Sequence, residues 1–109
     1  MVVVTTGPRI LEGVITDRDI TVRCTALGGD PAARPVGEYM DTHPLSVDGD
    51  IELERAVDMM RNAGLRRLPV TEAGSRVIGI LSLDDIALDA KHYLDAFLAV
   101  ASQYAHKAR

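Results

Sequence analysis

The chain has no tryptophan, one phenylalanine and one cysteine in 109 residues, and aromatics make up only 4% of it. Any core must therefore be built from aliphatic side chains. Cys24 has no partner for an intrachain disulfide, which points to a reducing, cytoplasmic setting. There is no run of about 18 apolar residues, so no membrane-spanning helix is expected. The first residues lack a charged segment followed by a long apolar one, so no secretory leader is expected either. Positive charge is also scarce: 12 Lys and Arg stand against 16 Asp and Glu, a formal net charge of −4. Binding to nucleic acid is disfavoured, because neutralising phosphates takes a basic stripe.

Catalytic constellations are equally thin. Cys24 and His43 form the one thiol–imidazole pair, and Cys24 lies among apolar neighbours, where a structural cysteine is the norm. Asp85, Asp89 and His92, at i, i+4 and i+7, share a helical face that suits a metal. A solvated charged face explains the same pattern. No enzyme, catalytic residue, metal site or required cofactor is expected.

What the chain does contain is a repeat. Residues 2–20, VVVTTGPRILEGVITDRDI, match residues 68–86, LPVTEAGSRVIGILSLDDI, without a gap at an offset of 66. Val4 and Thr5 fall on Val70 and Thr71, Gly13 on Gly79, and Asp19 and Ile20 on Asp85 and Ile86. Two copies of one supersecondary unit are implied, each covering the other's apolar face, with a cleft between them for a ligand.

Val2–Val4 and Leu11–Ile15 are β-branched or aliphatic runs flanking Thr5-Thr6-Gly7-Pro8, which predicts a hairpin. A helix is expected from Thr16 to about Thr25, ended by Gly28-Gly29-Asp30-Pro31, with a linker over 28–35. One helical turn is predicted at Val36–Met40 and a short strand at Leu45–Val47. A helix capped by Asp48-Gly49-Asp50 follows, with Leu53, Ala56, Val57 and Met60 on one face; Gly64 stops it. A second hairpin (Leu68–Val70, Val77–Leu81) leads into a helix opened by Ser82. After Ala90 a last helix is expected, with Leu94, Phe97, Leu98, Ala101 and Tyr104 as a stripe packed on the body or on a partner subunit.

MDTHPLSV at 40–47, GLRRLPV at 64–70, and the twin endings GVITDRDI (13–20) and GILSLDDI (79–86) resemble the cystathionine-β-synthase (CBS) motif. The whole chain resembles a CBS-domain pair, or Bateman module. The resemblance implies an α+β fold of sandwich-like α/β layers, with tandem β-α-β-β-α motifs related by a pseudo-twofold axis. The division is 1–35, a partial first motif and linker; 36–90, the second motif; and 91–109, a C-terminal amphipathic helix. The first motif lacks its opening strand and helix, so an N-terminally incomplete start, or a covering subunit, is expected.

The resemblance further implies a regulatory module that binds AMP, ADP, ATP or S-adenosylmethionine between the motifs. It implies a homodimer through the motifs and an effector protein that the sequence does not reveal. The alternative is a dimerisation or interaction module without nucleotide affinity.

Thr16-x-x-Asp19 and Ser82-x-x-Asp85 each read as a capping box, in which hydroxyl and carboxylate close the first helical turn. The same carboxylate can accept from both hydroxyls of a ribose, and the hydroxyl with the free amides suits a phosphate. In the family pattern the Asp at this place takes the ribose. Arg67 is expected to face the cleft beside Leu68 and Pro69, since strand alternation sends only one of Arg66 and Arg67 there. Arg18 either serves the other site or points to water. Thr42, His43, Pro44 and Leu45 are the family's adenine-lining edge, acting largely through backbone. The second copy, with its own 42–47 segment and its own Ser82 and Asp85, is expected to hold the complete site, and the Asp19 site is expected to be half-built.

Overall fold

Each copy of the repeat folds into an antiparallel hairpin with the same irregularity at the same place. In the computed structural model, β1 (Val2–Thr6) pairs with β2 (Ile10–Ile15), and β4 (Arg67–Glu72) with β5 (Arg76–Ser82). The backbone is described for residues 1–107, and the side chains of these except Phe97 and residues 103–107. Val2 faces Ile15 and Val4 faces Gly13; in the second hairpin Leu68 faces Leu81 and Val70 faces Gly79. A register shift falls between Val4 and Thr5 and again between Val70 and Thr71. Such a bulge adds twist and re-aims the strand end. Both tips turn through left-handed backbone, with Arg9 at φ 66° and its repeat partner Ser75 at φ 71°.

The two hairpins join edge to edge into a five-stranded sheet of order β1-β2-β5-β4-β3. The join is reciprocal: Leu11 N–H donates to the Ser75 carbonyl at 2.9 Å, and Val77 N–H donates to the Arg9 carbonyl at 2.8 Å. Residues 11 and 77, like 9 and 75, are repeat equivalents, so these two bonds straddle the pseudo-twofold axis. The outer strand β3 (Val47–Asp48) runs parallel to β4, with Val47 opposite Val70. The mixed α+β architecture expected from the sequence is what is found.

Helix α1 (Asp17–Arg23) follows β2, α2 (Leu53–Ala63) follows β3, and α3 (Leu83–Lys107) follows β5. Gly64 at φ 66° ends α2, its N–H donating to the carbonyls of Met60 and Arg61. The stop works because a left-handed residue without a Cβ carries no steric cost.

Four details differ from expectation, the first being that the short strand falls at Val47–Asp48 rather than Leu45–Val47. The α2 cap is Glu52, without a side-chain bond, because Asp48 accepts from Asp50 N–H inside the preceding turn. Leu53 is exposed, so the buried side of α2 is carried by Ala56 and Met60. The helix expected to begin after Ala90 is the continuation of α3. No glycine or proline lies between 83 and 107 to interrupt it, and alanine and leucine dominate the stretch. Its stripe residues Leu94, Leu98 and Ala101 are exposed rather than packed on the body; the side chains of Phe97 and Tyr104 lie outside the described residues.

The apolar interior has two parts. Val47, Ala56, Met60 and Leu68 form one, with Leu81, Leu83 and Ile86 against it. Ile15, Cys24 and Tyr39 form the other, with Val4, Ile20 and Met40. The second places residues 39–40, just after the linker, on the first hairpin. The Tyr39 hydroxyl is buried there without a hydrogen-bond partner among the described residues. Leaving a buried hydroxyl unpaired costs about 1–3 kcal/mol. Tyr39→Phe is therefore expected to raise the denaturant midpoint, with a gain of about 1 kcal/mol and an unchanged m-value in urea unfolding.

Candidate functional site

The site starts from a glycine. At Gly13 a Cβ would sit 2.6 Å from the Asp41 carbonyl oxygen and 2.7 Å from Met40 Sδ. Its absence lets the chain after the linker lie directly on β2. There Val14 N–H donates to the Asp41 carbonyl at 3.1 Å and Asp41 N–H donates back to the Val14 carbonyl at 2.8 Å. At Gly79, the repeat equivalent, a Cβ would meet open space, with no atom within 4 Å, so among the described residues only the first copy is gripped in this way.

Two residues beyond Val14, Thr16 caps α1. Its Oγ1 accepts from Asp19 N–H at 3.2 Å, and its own N–H donates to Asp19 Oδ2 at 2.9 Å. Both halves of the capping box are therefore made. The cap orients Asp19 through one oxygen and leaves Oδ1 without a partner among the described hydrogen bonds. Capping and ligand contact are compatible here, because an ionised carboxylate has about four acceptor positions.

Asp19 and Thr16 face a recess of about 210 Å³ whose far side comes from the second half of the chain. Asp41, Pro44 and Leu45 supply one wall, and Leu65, Arg67 and Pro69 another. The clasp at Val14 and Asp41 is what carries the 41–45 segment to the first-copy turn. An adjoining recess of about 310 Å³ shares Thr16, Leu65 and Arg67 and adds Arg18 and Arg66. The inner recess sets Asp19 and Asp41 beside Arg23 and Arg67, and the outer one sets Asp17 beside Arg18, Arg66 and Arg67. Carboxylates that can accept from hydroxyls and guanidinium groups that can meet anionic groups thus border the same groove.

Seven of the expected residues can be placed against this groove. Thr16, Asp19, Pro44, Leu45, Arg67 and Pro69 line the inner recess; Arg18 joins at the outer one, as does Thr16 again. Arg66 also reaches the outer recess, where its guanidinium is paired with Asp84. Leu68 is not available: it is 0% exposed, inside the core with Val47, Ala56 and Met60. Alternation along β4 explains this, since its neighbours Arg67 and Pro69 point to the groove. Thr42 and His43 line neither recess. They are exposed and face each other, Thr42 Oγ1 to His43 Nδ1 at 3.1 Å, while His43 N–H donates to Asp41 Oδ1.

Ser82 and Asp85 also lie outside both recesses. The expected pairing of the 42–47 segment with these two residues is not what the groove displays; the segment meets Thr16 and Asp19. One difference within the repeat accompanies this. Asp17 of the first copy corresponds to Leu83 of the second, and Leu83 packs against the α2 core. β5 therefore continues through Ser82, Leu83 N–H donates to the Arg66 carbonyl at 2.8 Å, and the helix begins at once. No Ser82–Asp85 box is formed among the described hydrogen bonds. Asp85, Asp89 and His92 likewise form no metal-holding group among the described residues.

Two charged side chains of the inner recess escaped the sequence reading. Arg23 lines the inner recess and is held by donation from Nη1 to the Tyr39 carbonyl at 3.1 Å. Its signal was present: it lies four residues after Asp19, one helical turn along the same face. Asp41 lies in the MDTHPLSV stretch, but its place in the recess follows from the clasp with Val14.

The CBS domain family matches residues 36–89. The CBS domain-containing protein YhcV of Bacillus subtilis is 39% identical over 80 residues, covering 73% of this chain and 56% of YhcV. Among solved structures, CBSX2 in complex with AMP superposes with a TM-score of 0.71 at 26% identity, over 84% of this chain and 73% of that one. The cytosolic domain of the Mg2+ channel MgtE in complex with ATP gives 0.66 at 30% identity, over 81% and 32%. The chain belongs to the CBS domain family. It spans about half the length of the curated relatives it matches, and no helix among its described residues is long and apolar enough to cross a membrane.

Two substitution pairs test the local geometry. Gly13→Ala should destabilise by about 1–3 kcal/mol through overpacking against Asp41 and Met40, whereas Gly79→Ala should stabilise by about 0.5 kcal/mol by removing a flexible strand residue. Thr16→Ala should cost about 1 kcal/mol through loss of the cap, and Ser82→Ala should change stability by less than about 0.5 kcal/mol. Chemical denaturation of the four variants reads both contrasts.

Proposed function

We propose that this chain is a regulatory ligand-sensing module that binds an adenosine-containing ligand, AMP, ADP, ATP or S-adenosylmethionine, in the groove between its two halves. The observation that carries the reading is the convergence of Asp19, the 41–45 segment and Arg67 on one recess. In this arrangement Asp19 Oδ1 accepts from ribose hydroxyls, the 41–45 backbone and the Pro44 and Leu45 side chains border the base, and Arg67 and Arg18 receive phosphate. AMP and ATP in the two solved relatives give the ligand class its support. No catalytic step is assigned to the groove, and the protein it regulates is the effector of the ligand-dependent change.

Calorimetric titration with AMP, ADP, ATP and S-adenosylmethionine tests this. Saturable binding is expected in the wild type, loss in Asp19→Ala and at least tenfold weakening in Arg67→Ala. Asp85→Ala, outside the groove, should bind like the wild type; loss there with retention in Asp19→Ala would move the ribose contact to the second-copy turn. A folded wild type that binds none of the four ligands would reject the sensor reading in favour of an interaction module without nucleotide affinity. That second reading has one observation on its side: Asp19 already has a structural task in the α1 cap.

A further inference from the structure

The groove gathers guanidinium groups in a chain that is short of positive charge. Of the nine arginines in residues 1–90, Arg18, Arg23, Arg66 and Arg67 border it. Their commitments differ. Arg23 rests on a neutral group, the Tyr39 carbonyl. Arg18 and Arg67 make no ion pair among the described residues. Arg66 is bound to a carboxylate, its Nη2 donating to Asp84 Oδ1.

Backbone geometry limits what can move in this pair. Leu83 N–H donates to the Arg66 carbonyl at 2.8 Å, and the next residue, Arg67, faces Ser82 across the hairpin. Residue 66 is thereby fixed at the start of α3, with Asp84 in the first turn of that helix. The two side chains are free by comparison, at 67% and 60% exposed. A change of rotamer is enough to carry the guanidinium from Asp84 into the outer recess, with sheet and helix in place. An exposed pair of this kind is a weak tether.

Position along the groove decides which ligands reach it. Arg67 is shared by both recesses, whereas Arg18 and Arg66 border the outer one alone. With adenosine seated in the inner recess, the reading on which this inference rests, a first phosphate meets Arg67. Anionic groups further along the ligand extend to Arg18 and Arg66. A negative charge arriving there attracts the Arg66 guanidinium and repels the Asp84 carboxylate. Arg66 is therefore available to the ligand only when its bond to Asp84 breaks.

We propose that Asp84 is a positioning residue that sets ligand specificity: by holding Arg66 it selects against polyphosphate chains and favours ligands with fewer anionic groups. The repeat gives the arrangement its asymmetry. Asp84 corresponds to Arg18 of the first copy, so one copy supplies a cation to the outer recess where the other supplies a carboxylate that withholds one.

Calorimetric titration with adenosine, AMP and ATP reads this in the wild type, Asp84→Asn, Arg66→Ala and the double variant. Asp84→Asn should tighten ATP by about three- to fivefold, the range that release of an exposed pair allows. AMP should tighten by less than about twofold, and adenosine, which also reports an intact groove, should bind as before. In the Arg66→Ala background the same Asp84 substitution should move ATP by less than about twofold, because no guanidinium remains to be released. Unchanged ATP affinity in Asp84→Asn overturns the proposal, as does equal tightening of all three ligands. Tightening that persists without Arg66 also overturns it and assigns the effect to the Asp84 charge alone.

A wild type that binds none of these three ligands rejects the adenosine reading by itself. Tripolyphosphate, which needs no nucleoside pocket, then decides the proposal. It should bind Asp84→Asn about three- to fivefold more tightly than the wild type; equal binding, or no binding to either, overturns it.

Discussion

The groove depends on two backbone hydrogen bonds exchanged between Val14 and Asp41. They bring a segment that follows the interhelical linker onto the strand that precedes the first helix cap. Without them Asp19 would cap a helix and face solvent; with them it faces Pro44, Leu45 and Arg67 across a recess. The exchange is possible because residue 13 has no side chain. Apolar packing holds the same contact from below, with Tyr39 and Met40 set against Ile15 and Cys24.

A repeated sequence here produces a repeated hairpin but not a repeated site. The two hairpins agree in register, bulge position and tip conformation because those features follow from local backbone and from the alternation of apolar residues. Their continuations differ at Thr16/Ser82, Asp17/Leu83 and Arg18/Asp84, and the middle pair changes most in polarity. Asp17 is polar and stays at the surface, so Thr16 can act as a cap; Leu83 is drawn into the core beneath α2, so the strand runs into the helix without a break. Leu83 is half-buried, so its packing is worth about 1 kcal/mol, comparable with the roughly 1 kcal/mol of a cap.

The exposed ion pairs contribute little to this arrangement. Arg34–Glu38, Arg61–Asp58, Arg66–Asp84 and Arg76–Glu72 all lie at the surface, where such pairs are worth about 0–1 kcal/mol. Arg66–Asp84 has a different consequence. By holding Arg66 toward α3, it leaves Arg67 as the cation shared by both recesses. Arg23, fixed on the Tyr39 carbonyl, adds a second positive charge to the inner one.

Much of the fold was legible in the residues. The ungapped repeat, the glycine stop at 64, the hairpin turns and the family resemblance all arise from patterns within a few positions of each other. So does the choice of Arg67 over Arg66, which strand alternation decides. The burial of Leu68, the unbroken α3 and the Glu52 start of α2 were open to competing local readings, and side-chain packing or helix propensity resolved them. What only the tertiary structure decided is which turn meets which segment. Sequence separation carries no information about the pairing of Val14 with Asp41, because that contact is selected by a missing Cβ and by two hydrogen bonds formed across the linker. The chain by itself determined the elements and the kinds of chemistry they carry; the partner of Asp19 was set by close approach in space.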